Sequence, residues 1–151
     1  MADQTEPSVV VQGLRWWAQG AYAEEAAVEL LVRAFGGRFA AAGWPWVRSC
    51  ERPGWWRLDA DEFGGHTDVL SSGEQRVLAV VEALVSAGPL LDVGGILAGV
   101  DRVNLVLILA AFAHAGGSHE HMELIATEDG VRYGRLAPLV SWPDVEIGAV
   151  S

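Results

Sequence analysis

Three of the four histidines in this 151-residue chain crowd one segment: His114, His119 and His121, with Glu120 and Glu123 interleaved. Imidazole nitrogens and carboxylates are the usual ligands of zinc. If 119–121 is extended, His119 and His121 point the same way and can share one ion. His114, on the end of a preceding helix, would be the third ligand, with a nearby carboxylate as partner or base. The spacing matches neither the zincin helix motif nor a zinc finger. A plainer reading stands beside it: a solvated loop after a helix, with His114 favourably placed at the helix C-terminus.

Two further clusters have chemical content. Asp59, Asp61, Glu62, His66 and Asp68 imitate the start of a calcium loop, with Gly64 as its glycine. The fifth position is Phe63 and the twelfth Leu70, so required ligands are missing and a solvated, capped acidic loop is the simpler expectation. Cys50 is the single cysteine, which excludes an internal disulfide and reads as a buried, inert thiol.

The third cluster is Trp44, Trp46, Arg48, Arg52, Trp55, Trp56 and Arg57, with Arg38 just before it and Glu51 as its one acid. It is the only locally basic stretch of an acidic chain. Trp and Arg dominate binding hot spots because they combine large rigid area with polar handles. On a hairpin Trp44 and Trp46 would share one face, and Arg stacking on Trp would order the group. The competing reading puts some of these tryptophans in the core, with Arg solvating the edge; a stacking site for a single strand or a sugar is a third. Adjacent Trp16 and Trp17 lie about 100° apart on a helix, so one of them faces away from the core.

The elements that must position these residues are legible in outline. Residues 1–8 read as a flexible arm, followed by a helix around 9–19 and a stronger one over 22–35 that Gly36-Gly37 ends. Residues 44–58 read as a hairpin turning at Arg52-Pro53-Gly54. Ser71 with Glu74, or Ser72 with Gln75, forms a capping box that opens a helix ending at Gly88-Pro89. Asp92 caps a short helix and Asp101 the next, Arg102 to Ala115, which is apolar almost all round and therefore expected at the buried centre. Residues 122–136 read as a second hairpin and 137–151 as an irregular tail. The sum is a helix-dominated α+β fold, about five helices with two small β-hairpins in a single domain over 9–151.

Composition removes several functions. The chain has ten Arg, no Lys, twenty Asp plus Glu and a formal net charge of −10. Without Lys there is no phosphate-loop lysine and no Schiff base to pyridoxal. The charge opposes duplex DNA and anionic membranes. The longest apolar run, Val103 to Ala113, is far short of the roughly 20 residues a bilayer needs. The acidic start does not resemble a signal peptide, so a cytoplasmic protein is expected. At 51% hydrophobic residues, a packed core is expected.

Two resemblances can be named. Leu70 to Leu78, with Ser71-Ser72-Gly73-Glu74-Gln75, resembles the signature loop of ABC-type ATPases. That family also needs a phosphate loop with its Lys, so the capping box is the better account. Glu25 to Leu31, the Ser-Ser-Gly-Glu helix, Leu97 to Leu105 and Ala111 to Ala115 resemble segments of a group of uncharacterised actinobacterial proteins, which implies a bacterial source and supplies no site residues. The expectation is a non-enzymatic interaction or regulatory protein, binding another protein or itself through the Trp/Arg surface and needing no cofactor. The alternative is a small enzyme dependent on a divalent metal such as zinc held by His114, His119 and His121. An acidic decoy for a nucleic-acid-binding protein is a lesser reading, because the carboxylates are scattered.

Overall fold

A computed structural model describes residues 3–144. Five helices and two separate two-stranded antiparallel sheets make up the α+β fold. Helix α1 runs Pro7–Ala18 and α2 Tyr22–Arg33. Strands β1 (Val47–Ser49) and β2 (Trp56–Leu58) form the first hairpin. Helices α3 (Ser72–Ser86), α4 (Val93–Gly99) and α5 (Arg102–Ala115) follow. Strands β3 (Met122–Thr127) and β4 (Gly130–Arg135) close the sequence of elements, and residues 137–144 are irregular. No helix among the described residues is long and apolar enough to cross a membrane.

The buried centre is α2, not α5. Ala26, Ala27, Val28, Leu30, Leu31 and Val32 are all shielded, and α5, α3 and α1 pack around them. Two alanines at this centre let the neighbouring helices approach closely, and the four larger side chains contribute roughly 1.5–3 kcal/mol each. The glutamate that would spoil such a helix is neutralised: Glu29 accepts from Arg15 Nε at 2.8 Å and from Arg33 Nε at 3.0 Å. Helix α5 buries Leu107, Ile108, Ala110 and Ala111 against it but leaves Val103 and Leu109 exposed. An all-apolar helix is thus one with an uncovered side here, which its composition could not reveal.

Local signals set most boundaries. Helix α1 begins two residues inside the expected arm, because proline is compatible with a first helical turn. Its Gly13 is a packing residue: a Cβ there would collide with the Gly54 carbonyl and approach the Trp56 ring to 2.7 Å, so glycine lets α1 lie directly on the first hairpin. Helix α2 stops at Arg33, and Phe35, Gly36 and Gly37 all take left-handed backbone conformations that reverse the chain. Asp92 accepts from the Gly95 amide and Asp101 from the Asn104 amide, capping α4 and α5 as expected. Of the two possible capping boxes the structure uses Ser71 with Glu74. The Glu74 amide donates to Ser71 Oγ at 3.2 Å, and the Ser71 amide donates to Glu74 Oε1 at 2.9 Å. Gln75 instead donates to the Thr67 and Leu70 carbonyls, pinning the loop before α3.

The Ser71 amide, more than the burial that opposes it, holds the Glu74 carboxyl below its ordinary value of 4.5, helped by the Ser71 hydroxyl and by Arg38 at 2.9 Å. A depressed folded-state pKa adds stability above the unfolded value and loses it as pH falls through the folded one. Ser71→Ala is therefore expected to cost about 1 kcal/mol in urea unfolding at neutral pH. Glu74→Gln is expected to flatten the loss of stability below pH 4.5 in the same measurement.

Candidate functional site

The first hairpin pairs Val47 with Leu58 and Ser49 with Trp56, so strand structure starts only at Val47. Trp44 and Trp46 precede it and do not form a surface face. They belong to an aromatic column instead. Trp44 stacks on Trp46 at 4.9 Å and Trp46 on Phe63 at 5.0 Å, with Phe39 tilted against both tryptophans. Trp46 is 0% exposed and its indole N–H donates to the Phe39 carbonyl at 2.9 Å. The half-buried Trp44 donates to the Arg38 carbonyl. Trp56, 8% exposed, sits under α1. A buried indole needs a partner for its N–H, and the Ala34–Ala40 turn supplies carbonyls for both.

The rest of the cluster lies nearer the surface. Arg52 lies 4.6 Å above the Trp55 ring, and Trp55 stacks on Trp16 at 6.0 Å. Trp16 is the outward member of its pair, at 44% exposure, while Trp17 packs against the core. Arg48 is exposed and half-buried Arg57 leans towards Asp59 at 3.5 Å. Of the seven expected residues, Trp46 and Trp56 are core and Trp44 lies with them; Arg48, Arg52, Trp55 and Arg57 reach the surface. Cys50 is half-buried at the hairpin end, not enclosed.

The histidines are rearranged more thoroughly. His119 lies in a short 3-10 turn, Ser118–Glu120, and strand β3 starts only at Met122. The two-residue alternation that would have aligned His119 with His121 therefore does not apply. His121 is exposed and lies outside the cluster; its carbonyl accepts from the Leu136 amide. What joins His114 and His119 is Glu25 of α2. One potential ligand atom from each of the three lies within 4.8 Å of the others. The His114 and His119 rings stack at 3.9 Å and 11°, and Tyr22 presents an edge contact to His119 at 4.9 Å. His114 Nε2 and Glu25 Oε1 are 3.0 Å apart. His119 Nδ1 is buried and has no hydrogen-bond partner.

Burial raises the Glu25 pKa, but the His114 hydrogen bond, the Gly20 amide at 3.0 Å and the charges of both histidines outweigh it and hold the carboxyl below its ordinary value. The cluster lies between two small cavities. One, of about 210 Å³, is lined by Arg15, Gln19, Glu25, Glu29 and His114. The other, of about 100 Å³, is lined by Ser118, His119, Pro138 and Trp142. The irregular tail covers this second side: Trp142 tilts against His114, and the Leu139 amide donates to Ser118 Oγ. Sequence reasoning missed Glu25, which is 89 residues from His114, because a glutamate in a helix's first turn is already explained by the helix dipole. The acidic loop is a capped turn, in which Asp59 accepts from the Asp61 amide, and Glu62 faces His66 at 3.5 Å.

The second hairpin, by contrast, stands open. Register pairs Leu124 with Tyr133 and Ala126 with Val131, which puts Met122, Leu124, Ala126, Val131 and Tyr133 on one face. None of these five side chains is covered by another of the described residues. Ile125, on the opposite face, lies over Gly134 and is half-buried. The alternation of Met122, Leu124 and Ala126 was visible in the sequence; that no described residue covers it was not.

Comparison of the chain with protein-family models, with curated proteins and with solved structures finds no match. The placement of the tryptophans is itself testable. Trp46→Ala is expected to cost about 3–5 kcal/mol in urea unfolding, through the void it leaves and the unpaired Phe39 carbonyl. Trp55→Ala is expected to cost under about 1 kcal/mol.

Proposed function

We propose that this chain is a non-enzymatic interaction protein, and that its docking surface is the open face of the β3–β4 hairpin, closed by a second copy of the chain. The observation that carries the reading is the exposure of that face, with Leu124 at 66% and Tyr133 at 71%. A two-stranded hairpin is marginal alone in water and gains stability when its apolar side is covered. No third strand flanks either edge among the described residues.

The charge layout favours a two-fold arrangement. Glu128 and Asp129 form the acidic turn at one end, and Arg135, which pairs with Met122 on the same face, stands at the other. Antiparallel packing of two such faces sets each acidic turn beside the partner's Arg135, and a two-fold interface is by construction self-complementary. The face is small against the roughly 800 Å² per partner of a standard interface, and the net charge of −10 works against it, so the dimer is weak and concentration-dependent.

Sedimentation velocity from micromolar to millimolar protein is expected to show a monomer passing into a dimer. Leu124→Glu combined with Tyr133→Ser is expected to weaken self-association by at least roughly tenfold with an unchanged circular dichroism spectrum. A single monomeric species over the whole range, or a dimer that the double variant leaves intact, would overturn the proposal.

A further inference from the structure

The geometry points to a site for one zinc ion, or another divalent metal of similar softness, held by Glu25, His114 and His119. This site is separate from the hairpin face and does not depend on it. Three elements meet there: the first turn of α2, the last turn of α5 and the 3-10 turn that follows α5. Two imidazoles and one carboxylate are a donor set that suits zinc, at roughly 2.0–2.2 Å per ligand. Ligand atoms on a tetrahedral ion then lie roughly 3.4 Å apart. Here the three atoms lie within 4.8 Å, and the His114–Glu25 pair is already at 3.0 Å.

His119 supplies the independent observation. Its Nδ1 is sealed from solvent without any hydrogen-bond partner, and buried polar atoms in folded proteins nearly always have one. A metal ion gives a ring in this position the partner that the protein does not. Around the site, Tyr22 and Trp142 form an aromatic wall and Glu29 is already occupied by Arg15 and Arg33, so Glu25 is the carboxylate left for an ion. Three protein ligands leave a fourth position, and the cavity of about 210 Å³ beside His114 and Glu25 has room for a water there.

The test is titration of the full chain, purified without a histidine tag and stripped with chelator, with Zn²⁺ by calorimetry and Co²⁺ by visible absorption. One equivalent is expected to bind and to raise the melting temperature. His119→Ala and Glu25→Gln are each expected to weaken binding at least roughly tenfold, and His121→Ala to leave it unchanged. His119 lies on a surface turn, so His119→Ala keeps the test decisive if the Glu25 variant fails to fold. Absence of stoichiometric binding, unchanged affinity in His119→Ala, or a loss in His121→Ala as large as in His119→Ala would overturn the assignment.

Discussion

Helix α2 is the constraint on which the rest depends. Its apolar residues from Ala26 to Val32 are enclosed by α5, α3 and α1, and each of these helices packs against α2 more extensively than against the other two. A helix in that position cannot carry an unpaired charge, so the Glu29 contacts to Arg15 and Arg33 are a condition of the packing. The same centrality makes α2 the natural contributor to a site. Its first turn reaches the far end of α5, and Glu25 there meets His114.

The aromatic content divides by the needs of a small core. A domain of this size has limited apolar volume to enclose, and stacked rings fill it efficiently. Trp46 and Phe63, with Phe39 and Trp44 beside them, join the Ala34–Ala40 turn to the first hairpin. Gly13 then admits α1 against Trp56. Trp16 and Trp55 remain outside, stacked on one another and capped by Arg52. A tryptophan-rich segment therefore serves the core first, and only its remainder reaches the surface.

The two ends of the chain's chemistry are physically distinct. The histidine–glutamate cluster is half-buried and braced by the tail through Trp142 and Leu139. The second hairpin is anchored at its base by the Leu136 amide on the His121 carbonyl and by Arg135 on Glu120 at 3.1 Å. His121 thus belongs to the hairpin's hydrogen bonding while His119, two residues earlier, belongs to the site. The 3-10 turn between them makes that division, because it ends the alternation an extended chain would have kept.

Much of the architecture was legible because its signals are local. Asp92, Asp101 and the Ser71–Glu74 box act within three residues, and Gly36-Gly37 needs no distant partner to reverse the chain. Five helices, both hairpins and the absence of lysine chemistry follow from such signals and from composition. What only the tertiary structure decided is long-range. The centrality of α2 over the more apolar α5, the burial of Trp46, the grouping of Glu25 rather than His121 with His114 and His119, and the exposure of the second hairpin among the described residues each depend on which surfaces meet. Composition and spacing report how apolar or how well spaced a segment is; they carry no information about what lies opposite it, and burial and ligand geometry are properties of that opposing surface.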